Sequence, residues 1–132
     1  MKFPIRVYYE DTDAGGVVYH ARYLHFFERA RTEFLRLAGF SQQVLFSQNL
    51  AFVVKKMEID YKIPARLDDF LFVETTISEL KGAKIVFRQQ LWFDECCLSE
   101  ATVTVASVDL TKMKPIAVPS EIVEALQAVK KA

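Results

Sequence analysis

The chain has 132 residues with seventeen basic and seventeen acidic side chains, which cancel to a formal net charge of zero. That balance argues against a nucleic-acid binder working through bulk charge, and no stretch approaches the ~18 apolar residues of a membrane span. With 52% apolar and 13% aromatic residues, residues 1–132 are expected to form one domain that needs no disulfide or metal staple.

Residues 3–9 (FPIRVYY) alternate loosely and predict a short strand, with Pro4 near its start, where a missing N–H is tolerated. Residues 10–20 have no period and contain the Gly15-Gly16 pair, so they read as a loop. From Ala21 to Ala38 the spacing becomes helical. Tyr23, Phe27, Ala30, Phe34 and Leu37 recur at intervals of three and four, Arg29 and Glu33 form an i,i+4 pair, and Gly39 supplies a stop. Residues 41–49 suggest a further short helical turn.

Four long strand-like segments follow. In the first, Ala51, Val53, Lys55, Met57, Ile59, Tyr61 and Ile63 share one side; the second groups Leu71, Val73, Thr75 and Ile77. The third groups Ile85, Phe87, Gln89, Leu91 and Phe93, and the fourth Ala101, Val103 and Val105. Lys81-Gly82-Ala83 and the stretch from Asp94 to Ser99 are short enough for antiparallel hairpins. A terminal helix over "PSEIVEALQAVKKA" ends in lysines that suit its dipole.

This order predicts an α+β fold: a long central helix wrapped by a curved antiparallel sheet of about five strands, with a C-terminal helix. Strands of about ten residues are long enough to wrap such a helix. A sheet of this kind has open edges, which predicts a dimer joined edge to edge, with a higher assembly through the outer sheet face. The two cysteines, Cys96 and Cys97, are adjacent and close almost no loop, so they are expected to be free thiols in a reducing, cytoplasmic setting. The start "MKFPIRVYY" has no long apolar run and is not read as a signal peptide.

"Y-x-x-x-D-x-x-G-G-V-V-Y-H", followed by "Y-L-x-F-F-E-x-A-R", resembles the hotdog-fold acyl-CoA thioesterases of the YbgC type, relatives of 4-hydroxybenzoyl-CoA thioesterase. "AFVVKKMEIDYKIPARLDD" and "VDLTKMKPIAVP" extend the resemblance over nearly the whole chain. It implies a hotdog fold, a dimer-based and often tetrameric assembly, and a coenzyme A or acyl-carrier-protein thioester as substrate; no Cys/His set has zinc-like spacing, and no metal or cofactor is expected. It also implies a link to acyl-carrier protein, phospholipid synthesis and the Tol–Pal envelope system.

By the same resemblance, Asp13 occupies the position of the catalytic carboxylate. It is expected either to attack the thioester carbonyl or to deprotonate a water. The mouth of the helix offers unpaired N–H groups and partial positive charge to a developing oxyanion. His20, with Tyr19, is expected to supply the main-chain donor, and Gly15 and Gly16 let the loop turn tightly and approach substrate. The His20 ring is a candidate for donating to the thioester or protonating the leaving thiolate, and Tyr9 for bonding the carboxylate or lining the acyl pocket. Glu10 and Asp11 are read as solvated or paired with an arginine, His25 as a packing or interface residue, and Trp92 as core or interface. Glu28 and Glu33 stand as alternative helix carboxylates. For coenzyme A phosphates the candidate cations are Lys81, Lys84 and Arg88 around the Gly82 turn, with Lys55, Lys56 and Arg66 behind them. Two rival functions are a 3-hydroxyacyl-thioester dehydratase using Asp13 and His20, and a non-enzymatic acyl or acyl-carrier binding scaffold.

Overall fold

A computed structural model of the chain describes residues 1–131, and for Lys130 and Lys131 the backbone only. The expected pairing of those two lysine side chains with a helix dipole lies outside the described residues. The elements in order are β1 (Lys2–Arg6), α1 (His20–Leu37), α2 (Gln42–Ser47), β2 (Leu50–Tyr61), β3 (Phe70–Lys81), β4 (Lys84–Phe93), β5 (Cys96–Asp109), β6 (Lys114–Pro115) and α3 (Ser120–Lys131), with a single 3-10 turn at Tyr9–Asp11 before α1.

The strands form one antiparallel sheet in the order β1-β3-β4-β5-β2, with β6 pairing beside the end of β5. Two tight hairpins build its centre. Lys81 pairs with Lys84 around Gly82-Ala83, and Phe93 pairs with Cys96 around Asp94-Glu95. The second turn is therefore shorter than Asp94 to Ser99, and the strand after it includes both cysteines. The sequence pattern did not indicate β6, which is only two residues long.

The curled sheet wraps α1, as the wide apolar stripe of that helix requires. Tyr23, Phe26, Phe27, Ala30, Phe34 and Leu35 are buried against Leu71, Val73, Ile77, Ile85, Phe87, Leu91, Ala101, Val103 and Val105 in one cluster. Each fully buried phenylalanine contributes about 1.5–3 kcal/mol of transfer free energy. α1 ends where the sequence places a glycine. Gly39 adopts φ +100°, its N–H bonds Arg36 O at 3.0 Å, and the Phe40 N–H bonds Leu35 O at 2.9 Å, the two bonds of a Schellman stop. Ser41 then caps α2 by accepting from the Val44 N–H at 3.1 Å.

Two expectations need correction. Glu33 pairs with Arg36 at 3.2 Å, not with Arg29. The alternation expected along β2 breaks at Lys55, where a bulge puts an extra residue between Val54, opposite Val105, and Lys56, opposite Thr104. Before the bulge Phe52 and Val54 share the face of Val105; after it Met57, Ile59 and Tyr61 do. An inserted residue shifts a period of two by one, so no single alternation describes the strand.

β1 and β2 are the sheet's two edges. Pro4 sits in β1, where its missing N–H removes no central ladder bond. β2 leaves a free edge of twelve residues on which Val53 and Val54 are exposed.

Candidate active site

The loop before α1 is held at both ends. The Asp13 N–H donates to Val17 O at 2.9 Å, the Gly16 N–H to Asp13 O at 3.2 Å, and the Val18 N–H to Ala65 O at 2.8 Å. The Ala65 N–H in turn donates to the Tyr23 hydroxyl at 3.0 Å. Loop, α1 and the β2–β3 connection are thereby locked together. Asp11, buried beneath the loop, accepts from the Tyr8 N–H at 2.9 Å and lies 3.7 Å from Arg22, which makes it a structural anchor paired with an arginine.

The result is a cleft of about 280 Å³ lined by Asp13, Val17, His20, Tyr23, Tyr61 and Lys62, among others. Asp13 and His20, expected to act together, share its walls. The Asp13 Oδ1 atom accepts from the Gly15 N–H at 2.8 Å, which fixes the carboxylate on its turn. Gly16 adopts φ +80°, a region costly for other residues. A Cβ on Gly15 would sit 3.3 Å from Asp13 Oδ1. The two glycines thus have separable roles. Gly16→Ala should lower unfolding free energy by about 1 kcal/mol in a denaturant titration. Gly15→Ala should leave stability nearly unchanged and reduce turnover about tenfold by shifting the carboxylate.

α1 begins at His20, one residue before the periodicity suggested, with Tyr19 as its N-cap and no side chain capping it. The expected Tyr19 donor is already used: its N–H bonds Asp11 O at 2.9 Å. Among the described residues, the His20 and Ala21 N–H groups bond no acceptor and face the helix mouth as open donors. Tyr9 is 82% exposed and does not line the cleft; its carbonyl accepts from the Thr12 N–H and hydroxyl. His25 is exposed on α1, away from the core.

Pattern reading missed Tyr61, Lys62, Ile63 and Pro64, which complete the cleft from the end of β2. The Tyr61 hydroxyl donates to His20 O at 2.9 Å, bracing the first turn of α1. Burial pushes the phenols of both Tyr23 and Tyr61 above their ordinary value; the Ala65 N–H opposes this at Tyr23, and neighbouring Tyr23 adds to it at Tyr61. Both therefore remain neutral hydroxyls at physiological pH.

The hairpin and β2 lysines expected for coenzyme A are not at this cleft; of the weaker candidates only Arg66 lies beside it, its backbone bridged to Val17. Gly82 turns the β3–β4 hairpin at φ +60°, and Lys84 pairs with Glu79 at 3.2 Å. Lys84 meets Lys55 and Lys56 around a depression of about 360 Å³ that excludes Lys81 and Arg88. Sheet register sets these sites apart. Tyr61 lies level with Ser99 and Leu91, whereas Val53 lies level with Ala106 and Lys84. Seven residues of β4 and of β5, about 23 Å of strand, separate the two levels.

Residues 7–126 match the family model described as the thioesterase-like superfamily. This chain belongs to that superfamily, as a YbgC-type hotdog member. The acyl-CoA thioesterase YbgC of Haemophilus influenzae is 64% identical over 129 residues, covering 97% of this chain and 95% of the relative. The acyl-CoA thioester hydrolase YbgC of Escherichia coli O157:H7 is 55% identical, covering 92% of each. Among solved structures, a probable thioesterase from Bartonella henselae superposes with a TM-score of 0.87 at 45% identity, covering 90% of this chain and 98% of its own. The hotdog architecture explains the placement of the cleft: a YbgC-type chain carries its one long helix inside the curled sheet, so the helix mouth opens beside the ends of the strands.

Proposed function

We propose that this chain hydrolyses acyl-CoA or acyl-carrier thioesters through Asp13, acting as one catalytic domain over residues 1–132. The observation carrying this reading is the shared cleft of Asp13 and His20 at a helix mouth whose two N–H groups are unbonded among the described residues. The names of the YbgC relatives support the same substrate class. A thioester carbonyl seated over His20 and Ala21 would gain two donors as its oxygen becomes anionic, an effect worth about 3–4 kcal/mol of barrier per donor. Asp13 either attacks the carbonyl carbon, giving an anhydride that water then cleaves, or takes a proton from the attacking water. His20 donates a proton to the departing thiolate and regains the one that the attacking water releases. Gly15 and Gly16 hold the carboxylate turn, and Tyr61 braces the oxyanion donors.

A second copy completes this reading. Antiparallel pairing of two free β2 edges about a two-fold axis near mid-strand would carry the partner's β3–β4 hairpin to the cleft, about 23 Å from where this chain holds its own. Lys84, with Lys55 and Lys56, would then meet the coenzyme A phosphates or an acidic carrier protein; Lys81, Gly82 and Arg88 frame the same hairpin. A dimer through the β2 edges is part of this reading, and packing of two dimers through their outer sheet faces would extend it to a tetramer. Cys96 and Cys97 are unpaired, which suits the reducing cytoplasm, where a role beside the Tol–Pal system and phospholipid synthesis would also lie.

A panel of acyl-CoA thioesters with a thiol-reactive dye tests the reaction. Release of free thiol with catalytic turnover is expected. Formation of a double bond without thiol release would instead identify a dehydratase, and tight carrier binding without turnover would identify a scaffold.

A further inference from the structure

A second cavity, of about 400 Å³, lies between α1 and the first half of β2. Its walls include Leu35, Phe46, Phe52, Phe87 and Val105. It opens to solvent past the half-exposed side chains of Phe46 and Val54. One wall is not apolar. Arg31, only 9% exposed, lines the cavity from α1. Its Nη1 donates to Gln89 Oε1 at 3.0 Å, a neutral acceptor. Among the described residues no carboxylate oxygen lies within 4.0 Å of the guanidinium. Glu28, one turn earlier, stands at the exposed rim.

A buried cation without a counter-ion is unfavourable, and buried charges are as a rule paired. Burial draws the Arg31 side chain below its ordinary value, with Glu28 opposing, yet a guanidinium remains charged at physiological pH. The cavity falls within the size range of small-ligand sites, and its planar fork of donors matches a carboxylate. We propose that Arg31 makes this cavity a subsite for the carboxylate of a short apolar carboxylic acid, its chain lying against Phe46, Phe52 and Phe87. That carboxylate has two sources. It is either the far end of an acyl group bound as a thioester or the free acid released by hydrolysis. This choice of ligand rests on the hydrolase reading given above, whereas the existence of an anion subsite does not. In the two-fold arrangement, the Arg31 cavity of one copy would border the Asp13 cleft of the other, since both lie along the same α1–β2 trough.

Isothermal titration of the full-length protein with octanoate and with octan-1-ol separates charge recognition from apolar fit. Octanoate should bind at least about tenfold more tightly than the alcohol. Arg31→Met should abolish that preference, and Arg31→Lys should keep part of it. Glu28→Gln, by removing a competing anion at the rim, should strengthen octanoate binding. Equal binding of acid and alcohol to the wild-type protein would overturn the proposal without recourse to any variant, as would an unchanged preference in a folded Arg31→Met. Turnover of a thioester carrying a carboxylate at its far end, compared with its methyl-ended counterpart, identifies the source. A preference for the carboxylated substrate that Arg31→Met removes assigns the subsite to the acyl group; octanoate binding without that preference assigns it to the released acid. Binding is read without turnover, so a protein that binds octanoate through Arg31 yet releases no thiol would refute the hydrolase reading and leave the anion subsite standing.

Discussion

Asp13→Asn should reduce kcat for acyl-CoA hydrolysis by roughly a hundred- to ten-thousandfold while leaving the fold intact. The substitution keeps the shape of the side chain and its Oδ1, which can still accept from the Gly15 N–H that holds it at 2.8 Å. What is lost is the anion able to attack carbon or accept a proton. Asp13 is solvent-exposed in a loop, so unfolding free energy should move by no more than about 0.5 kcal/mol. Substrate binding draws on the rest of the cleft, and KM should change far less than kcat, the signature of an interaction made in the transition state. Turnover at the wild-type rate across a panel of acyl chain lengths would remove Asp13 from the chemistry. A single-turnover reaction in heavy-oxygen water then separates the two roles left open: label entering the Asp13 carboxylate marks direct attack, and label confined to the acid product, with no anhydride trapped on Asp13 by hydroxylamine, marks a general base.

Much of this was legible in the sequence because it is local. A helical stripe repeats every three or four residues whatever surrounds it, and a glycine after the last repeat marks the stop that Gly39 makes. Hairpin turns announce themselves through spacing, as Gly82-Ala83 does. Asp13, the glycine pair and His20 form a spaced motif within eight residues of each other, and the fold carries all four to one helix mouth.

What the sequence hid depends on distant partners. Tyr61 reaches His20 across 41 positions, and nothing in a tyrosine at the end of a strand says which helix it will brace. The bulge at Lys55 is fixed by how β2 meets β5, so the odd-numbered positions before it and after it face opposite ways. Tyr19 looked like a free donor until Asp11 O folded back onto it. The hairpin cations are separated from the cleft by the register of four strands, a quantity set by pairing rather than by composition.

Gln89 lies between these cases. The sequence put it in the apolar row of Ile85, Phe87 and Leu91, and the structure buries it there at 1% exposure. A buried amide persists only if its donors and acceptor are satisfied. Here the side-chain Nε2 donates to Phe27 O and to Thr75 Oγ1, each at 3.0 Å, while Oε1 accepts from Arg31. One amide therefore joins the central helix to β3 and β4 and holds the only polar bond made by the buried guanidinium among the described residues. Gln89→Leu replaces it with a side chain of similar bulk, so little cavity opens and the loss is one of polar pairing. It leaves a charge and a hydroxyl unpartnered in the core, and breaking such a network costs about 3 kcal/mol. For a domain of this size the melting temperature should fall by about 10 °C, with a matching shift in denaturant midpoint and an unchanged m-value. The double variant Gln89→Leu/Arg31→Met removes the stranded charge as well and should recover a large part of the loss. A double variant no more stable than Gln89→Leu alone would mean that the guanidinium does not depend on this amide, and that the packing of Ile85, Phe87 and Leu91 around position 89 sets its energetics.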